Sequence, residues 1–83
     1  MYLDKKKIKK LMNDLEHSHN QLAVFCDVSP STIWNIITID RYNVTAETSA
    51  KIYKFFKLER KINSPAELLD LPLIEKIANE GLA

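Results

Sequence analysis

The sequence contains a single glycine and a single cysteine among its 83 residues. Because a phosphate-binding loop needs several glycines close together, one glycine, Gly81, excludes such a loop. One cysteine cannot form an internal disulfide, so we expect a core without cross-links and a reducing, cytoplasmic location. No apolar run approaches the roughly 20 residues that a membrane-spanning helix needs, and no apolar stretch follows the lysine-rich start. Neither a membrane protein nor a secretory signal is therefore predicted.

The composition is ordinary for a globular chain, with 46% hydrophobic and 28% charged residues. The length predicts one small domain, whose limited core favours a partner subunit. The net charge of +1 is unevenly distributed: residues 1–57 hold nine Lys and Arg against six Asp and Glu, and residues 58–83 hold three against five. This asymmetry indicates that the basic part, residues 1–57, faces a polyanion. Five lysines within residues 5–10 form either a solvated helix face or a patch that attracts phosphates.

Apolar spacing and capping residues predict an all-α protein, a compact bundle of five or six short helices. The run 33–39 is β-branched and aromatic, so taken alone it also fits a strand. A Ser29 cap followed by Pro30 favours a helix instead. The first four helices are expected over 5–16, from Ser18 to Asp27, from Pro30 to about residue 37, and from Thr45 to about Lys57. The expected inner faces are Ile8, Leu11, Met12 and Leu15; Leu22, Ala23, Phe25 and Cys26; Val28, Ile33 and Ile36; and Ala46, Ser49, Ile52, Tyr53 and Phe56.

The C-terminal part begins with Ser64 and Pro65, which predict a short fifth helix. Pro72 is expected to keep the preceding residue out of helical geometry. A last turn or two should run from residue 73 to residue 80 and end at Gly81 in a left-handed conformation. We therefore divide the chain into residues 1–63 and a helical tail, 64–83.

Residues 19–38 have the spacing of a helix-turn-helix motif. Ala23 supplies the small residue where two crossing helices touch. Asp27 falls four residues later at the turn, and aspartate is among the few residues that tolerate a left-handed backbone. The inward positions of both helices are apolar and the outward ones are polar, with the exception of Trp34.

These residues resemble the helix-turn-helix of the lambda-repressor-like (Cro/cI, Xre) family. The resemblance covers about residues 5–57. A second likeness, to the lac-repressor headpiece, fits less well because a full helix precedes the motif here. Asp27 stands where the family usually has glycine, and His19 where it usually has glutamine. The matching residues are Leu22-Ala23, Val28-Ser29-Pro30-Ser31-Thr32-Ile33, Ile36, Thr45-Ala46-Glu47-Thr48 and Lys51-Ile52-Tyr53-Lys54.

The resemblance implies a homodimeric transcription regulator, a repressor of phage or mobile-element type, whose third helix lies in the major groove of double-stranded DNA. Asn35 would pair with adenine. Since residues 29–39 contain no Arg or Lys, we expect recognition of A·T-rich steps or shape, with a modest salt dependence. The residues expected at base edges are Pro30, Ser31, Thr32, Trp34 and Asn35. Those expected at phosphates are Ser18, His19, Ser29, Thr38, Arg41, Tyr42 and Asn43.

The apolar tail has two interpretations that are compatible with each other. It folds back to complete its own core, or it forms a two-fold dimer interface that spaces two recognition helices about one DNA turn apart. The residues expected at such an interface are Leu69, Leu73, Ile74 and Ile77.

A second function is a helix-turn-helix scaffold that binds a regulatory protein, as an antirepressor, an antitoxin or an accessory subunit. The uncharged third helix and the expected exposure of Trp34, Ile37 and Ile39 favour it. No enzymatic activity, metal or cofactor is predicted. His17 and His19 do not share a helix face, no Cys-x-x-Cys pair exists, and Cys26 is interpreted as a core residue.

Overall fold

A computed structural model describes residues 1–81, which form a compact all-helical fold with no strand. Two isolated bridges pair Tyr2 with Asn43 and Leu3 with Leu69. The all-helical prediction is confirmed, and the β-branched run after Pro30 is helical. The elements in order are α1 (Lys5–Asp14), α2 (His19–Cys26), α3 (Pro30–Thr38), α4 (Ala46–Leu58), a 3₁₀ turn (Pro65–Leu68) and α5 (Leu71–Glu80).

The helices begin where the capping residues predict. The Asp4 carboxylate accepts hydrogen bonds from two amides of the first turn of α1. At α2, the amide of Gln21 donates to Ser18 Oγ at 3.2 Å and Gln21 Oε1 accepts from the amide of Ser18 at 2.8 Å. This reciprocal pair satisfies two amides that would otherwise lack partners. Ser29 Oγ accepts from the amide of Ser31 at 3.2 Å and starts α3 in the same way.

Three helices end in a left-handed residue that is not glycine. Glu16, Asp27 and Arg60 have φ of 57°, 57° and 58°. After α2, the amide of Asp27 donates to the carbonyl of Val24 and the amide of Val28 donates to the carbonyl of Ala23. This is the Schellman arrangement, which satisfies terminal carbonyls but normally favours glycine at the left-handed position. The prediction that Asp27 adopts this conformation is confirmed.

The core lies between α1, α2, α3 and α4 and is closed by side chains from the connecting segments. Ala23 is fully buried in α2, which allows this helix to approach its neighbours closely. Leu3, Val44 and Ile62, from segments outside the helices, are also buried, although the sequence analysis did not predict them. The largest fully buried side chains are Ile8, Leu22, Ile33, Ile52, Phe56 and Leu68.

Several predicted side-chain orientations are wrong. Phe25 was expected to be buried but is exposed. The side of α2 that faces the core is formed by Leu22, Ala23 and Cys26, and Phe25 lies outside this side. In α4, Phe55 is buried, whereas Ala46 is exposed and Tyr53 is half-buried. Ile37 was expected to be exposed but is buried, since it lies one turn after Ile33 on the inner face of α3.

The C-terminal part differs from the prediction in two ways. Leu71 and Pro72 belong to α5, because a proline in the first turn lacks only an amide that has no partner there. The Asp70 carboxylate caps this helix by accepting from the amide of Leu73 at 3.2 Å. Gly81 has φ of −70°, so it is right-handed, and a left-handed stop is absent. The remainder of the tail, residues 82–83, lies outside the described residues.

No residue of α5 is buried, although this helix is apolar along one side. Backbone hydrogen bonds from the N-terminal segment hold the region just before it: the amide of Asp70 donates to the carbonyl of Tyr2 at 2.9 Å, and the amide of Asp4 donates to the carbonyl of Leu68 at 2.8 Å. Within residues 1–81, none of the helices has both the length and the apolar character required to cross a bilayer.

Candidate nucleic-acid interface

The junction between α2 and α3 fixes which side of α3 faces outward. The chain leaves α2 at Cys26, passes through left-handed Asp27 and enters α3 at Pro30. The inner stripe of α3, Ile33 and Ile36, is buried in the core shared with α1, α2 and α4. Because the inner stripe is fixed in the core, the opposite stripe of α3 is held toward solvent.

Four of the five residues predicted at base edges line one shallow groove. Side chains four residues apart share a helix face, so Pro30 lies beside Trp34 and Ser31 beside Asn35. Trp34 is 51% exposed, and its ring centroid lies 5.0 Å from that of His19 at an interplanar angle of 52°. Thr32, the fifth, is half-buried and does not line the groove. The groove is lined by His19, Asn20, Pro30, Ser31, Trp34 and Asn35.

Three of the predicted phosphate contacts lie at the starts of α2 and α3. Ser18 and Ser29 are exposed N-cap residues and His19 is the first residue of α2. Two helix N-termini close together present backbone amides and positive dipole ends, which favour anions. Thr38, at the opposite end of α3, uses its hydroxyl to donate to the carbonyl of Trp34 at 2.6 Å.

The predicted phosphate contacts in the loop after α3 are engaged within the chain. Both guanidinium nitrogens of Arg41 donate to the Glu80 carboxylate, at 3.0 and 2.9 Å. This hydrogen-bonded pair raises the pKa of Arg41 and lowers the pKa of Glu80. Tyr42 packs half-buried against the core, and Asn43 Oδ1 accepts from the N-terminal ammonium group of Met1.

The outward face of α3 carries hydrogen-bonding groups and an indole but no cation. Lys5 forms an ion pair with Asp40 just beyond the end of α3, and Lys51 lies 3.6 Å from the Asp27 carboxylate just before its start. Lys6, Lys9 and Lys10 are exposed on α1. The face is therefore suited to hydrogen bonding and apolar contact, and long-range attraction of phosphates falls to more distant lysines.

The residues predicted at a dimer interface are all half-buried. Leu69 pairs with Leu3 through an isolated bridge. Leu73 lines a small cavity together with Ile36 and Tyr42, so it faces its own chain. Ile74 and Ile77 follow on the same helix and remain partly accessible.

Sequence reasoning missed an aromatic stack on the far side of α2. His17, Phe25 and Phe55 stack, with ring centroids 4.8 Å apart for His17 and Phe25 and 5.7 Å apart for Phe25 and Phe55. Because Phe25 follows Leu22 at i, i+3 spacing, the sequence analysis placed Phe25 in the core and did not predict this stack. Cys26 beside it is buried, and loss of hydration raises the pKa of its thiol to about 12. A thiol with this pKa is protonated at neutral pH, as the interpretation of Cys26 as a core residue expects.

Comparison of the chain with models of known protein families, with curated proteins and with solved structures found no match. Within residues 1–81, no group of three or more His, Cys, Asp and Glu side chains is arranged to hold a metal ion. The geometry of α2, α3 and α5 therefore carries the functional assignment.

Proposed function

We propose that this protein is a sequence-specific DNA-binding transcription regulator in which α2 and α3 form a helix-turn-helix and α3 enters the major groove. One observation carries the proposal: α3 buries Ile33 and Ile36 while the opposite stripe, with exposed Ser31 and Trp34 and half-buried Asn35, points away from the core. The left-handed turn at Asp27 sets the angle between the two helices. An exposed helix supported by a second helix in this way matches the general requirement for major-groove docking.

Base contacts come from the groove beside α3. The Asn35 amide offers one donor and one acceptor, which match N7 and N6 of adenine in the major groove. The Ser31 hydroxyl bonds to several bases, and Pro30 gives apolar contact to a thymine methyl group. Thr32, which is half-buried, is the fifth residue of this set. Since arginine–guanine pairing is absent, A·T-rich sites and DNA shape supply the discrimination.

Backbone contacts come from the starts of α2 and α3. The hydroxyls of Ser18 and Ser29 and the backbone amide of His19 bind phosphate at the positive ends of the two helices. Trp34 packs against the sugar edge. Arg41 takes a phosphate in place of Glu80, because a phosphate accepts the same two-pronged hydrogen bond as a carboxylate. Thr38, Tyr42 and Asn43 complete the proposed phosphate set.

Dimerisation through α5 would place two copies of α3 on one palindromic site. The apolar side of α5 is only partly covered by its own chain, which leaves apolar area for a second copy. Light scattering should therefore give twice the 9.6 kDa chain mass. Ile74→Asp should return the mass to that of one chain, and Asn79→Asp on the same helix should leave it doubled. A single-chain mass for the unmodified protein would contradict the dimer.

Selection from random DNA duplexes tests DNA binding directly. We expect enrichment of A·T-rich sites that are two-fold symmetric. Asn35→Ala should weaken binding to the selected site about 5- to 150-fold, corresponding to the roughly 1–3 kcal/mol of one bidentate base contact. Asn79→Ala, the same substitution on α5, should change affinity less than about twofold.

A salt titration then separates base recognition from general attraction to phosphate. We expect a shallower slope than that of proteins whose Lys and Arg residues neutralise roughly 6–10 phosphates, because Arg41 is the one Lys or Arg in the proposed phosphate set. No enriched sequence, or equal affinity of Asn35→Ala and the unmodified protein, would contradict the proposal.

A second function, binding of a regulatory protein through the same face of α3, is favoured by one observation: no cation lies on this face, while Trp34 and Ile39 are exposed. Tryptophan is the residue that most often dominates protein interfaces. If duplex selection fails, capture of one defined protein whose binding is abolished by Trp34→Ala would support this function instead.

A further inference from the structure

A second surface, formed by residues of α2 and α4 and separate from the groove beside α3, is shaped to receive a ligand. It is a groove between α2 and α4, called here the α2–α4 groove. None of its residues belongs to the face of α3 described above. Its lining includes Phe25, Cys26, Lys51, Lys54, Phe55 and Leu58.

The walls of the α2–α4 groove are apolar and exposed. Phe25 is 58% exposed and Leu58 is 72% exposed, so more than half of each side chain is open to solvent. Exposed apolar side chains scattered singly are common, whereas a cluster that lines a concave surface marks an interaction site.

The aromatic wall of the groove, Phe25 and Phe55, is already ordered in the unbound protein. The Phe25 ring lies nearly parallel to both His17 and Phe55, with interplanar angles of 15° and 14°, and it forms a three-ring cluster with them because the His17 and Phe55 centroids are themselves 6.0 Å apart. Phe55 is itself buried, so the stack is anchored in the core. A rigid aromatic side chain loses little conformational entropy on binding, which favours it as an anchor at an interface.

The rim of the groove is positively charged. Lys54 is exposed and has no ion-pair partner among the described residues. Lys51 donates to the backbone carbonyl of Asp27 at 3.1 Å and lies 3.6 Å from the Asp27 carboxylate and 3.8 Å from that of Glu47, so its charge is balanced within the chain. Lys54 therefore supplies the unpaired positive charge of the rim, which favours a carboxylate on a partner.

From this combination we infer that the α2–α4 groove binds an acidic amphipathic helical segment of another protein. Its apolar side chains would pack against Phe25, Phe55 and Leu58, and its Asp or Glu side chains would face Lys54. Such helix-in-groove recognition uses apolar anchors spaced along one face of the bound helix. The protein would then recruit a partner from α2 and α4 while α3 remains free.

A second copy of this chain is a poorer occupant of the groove. A two-fold pair buries the same patch from both copies, so the unpaired Lys54 would occur twice in one interface. Like charges placed opposite one another at an interface disfavour pairing. The charge of the rim therefore selects a partner of opposite sign.

Selection from a random peptide library on the full 83-residue chain tests this inference. The double variant Phe25→Ser/Leu58→Ser removes the apolar walls at two exposed positions, and its circular dichroism should match that of the unmodified chain. We expect enriched peptides with apolar residues at helical spacing and an excess of Asp and Glu. Fluorescence anisotropy with an enriched peptide should show at least about a tenfold loss of affinity in the double variant.

Two single variants test whether the charge of Lys54 contributes to peptide binding and whether the peptide binds in the α2–α4 groove. Lys54→Glu should weaken binding of the enriched peptide about three- to tenfold, and a peptide with its Glu residues changed to Lys should regain binding to this variant. Asn35→Ala should leave peptide affinity within about twofold.

The inference is overturned by a library with no enriched class, by enriched peptides without an acidic bias, or by peptides that bind the double variant as well as the unmodified chain. A doubled mass that Phe25→Ser abolishes would also overturn it, because the occupant would then be a second copy.

Discussion

Helices α4 and α5 have comparable apolar content but differ in what they bury. α4 places Ile52 and Phe56 fully out of solvent, together with Phe55 and Ser49. α5 carries four large aliphatic residues within ten positions, and none of them is buried. The same kind of amphipathic sequence therefore has two outcomes in one small domain.

The difference follows from what surrounds each helix. The core formed by α1 to α4 is closed by Leu3, Val44 and Ile62, so little space remains for further side chains. α5 instead lies against the edge of this core and is fastened by polar bonds, including Arg41 to Glu80. We conclude that α1 to α4 supply most of the folding free energy and that α5 is a surface helix.

The difference between α4 and α5 predicts the largest loss of stability for a substitution at Phe56. Phe56→Ala should lower the free energy of unfolding by about 3–5 kcal/mol, because it removes a fully buried ring and leaves a cavity. Leu73→Ala in α5 should cost less than about 1.5 kcal/mol, since the side chain is only half-buried. Urea denaturation of both variants, measured at a concentration where the protein is monomeric, checks this. Equal losses in the two variants would contradict the division between core and surface helix.

A smaller effect is expected where the core contains an unsatisfied polar atom. Among the described residues, His17 Nδ1 is buried without a hydrogen-bond partner. His17→Phe keeps an aromatic ring in the stack and removes this atom, so it should raise the free energy of unfolding by about 1 kcal/mol. Chemical denaturation measures the change. A loss of stability would mean that the imidazole makes a bond, for instance through water, that the larger ring cannot replace.

A similar or smaller gain is expected at a helix end. Arg60 adopts φ of 58° after α4, a conformation that glycine reaches without strain. Arg60→Gly should stabilise the protein by about 0.5–1 kcal/mol. The neighbouring Glu59 has φ of −79°, so Glu59→Gly should destabilise it by a similar amount. If both variants shift the thermal midpoint in the same direction, backbone conformation is not the cause.

The smallest effect is local and depends on pH. Hydrogen bonds from Arg41, and then its charge, lower the pKa of Glu80 below its ordinary value of 4.5. A carboxylate with a depressed pKa stabilises the fold above its unfolded pKa, and this contribution is lost as the pH falls through the folded pKa. As the pH falls from about 6 to about 3, the protection factors of amides in α5, which correct for the slower intrinsic exchange at low pH, should therefore fall before those of amides in α4. Glu80→Gln should show fast exchange in α5 already at pH 7, and an unchanged rate in this variant would indicate that the ion pair does not hold α5.

The sequence was sufficient to predict features that depend on neighbouring residues. Ser18 with Gln21, and Ser29 with Pro30, mark helix starts because capping satisfies backbone amides locally. The stripe of Ile8, Leu11 and Met12 follows helical spacing and is buried as expected. The left-handed turn at Asp27 was predicted from its position four residues after Ala23, together with the tolerance of aspartate for this conformation.

Features that depend on the whole chain could not be predicted in this way. Whether Phe25 or Phe55 enters the core depends on how α2 and α4 cross, which no local pattern encodes. The bridge between Leu3 and Leu69 joins residues far apart in sequence. At the candidate site, the outward face of α3 was predicted as a set of residue types, but the engagement of Arg41 by Glu80 depends on the position of α5.

Emission from Trp34 gives the most direct test of the central claim, that the outward face of α3 is the DNA-binding surface. Trp34 is the only tryptophan in the sequence, so its fluorescence reports on this face alone. Titration with the selected duplex should change the emission saturably, with the same midpoint as an independent binding assay, and Asn35→Ala should shift this midpoint to higher concentration. Tight duplex binding that leaves Trp34 emission unchanged and is insensitive to Asn35→Ala would contradict the account.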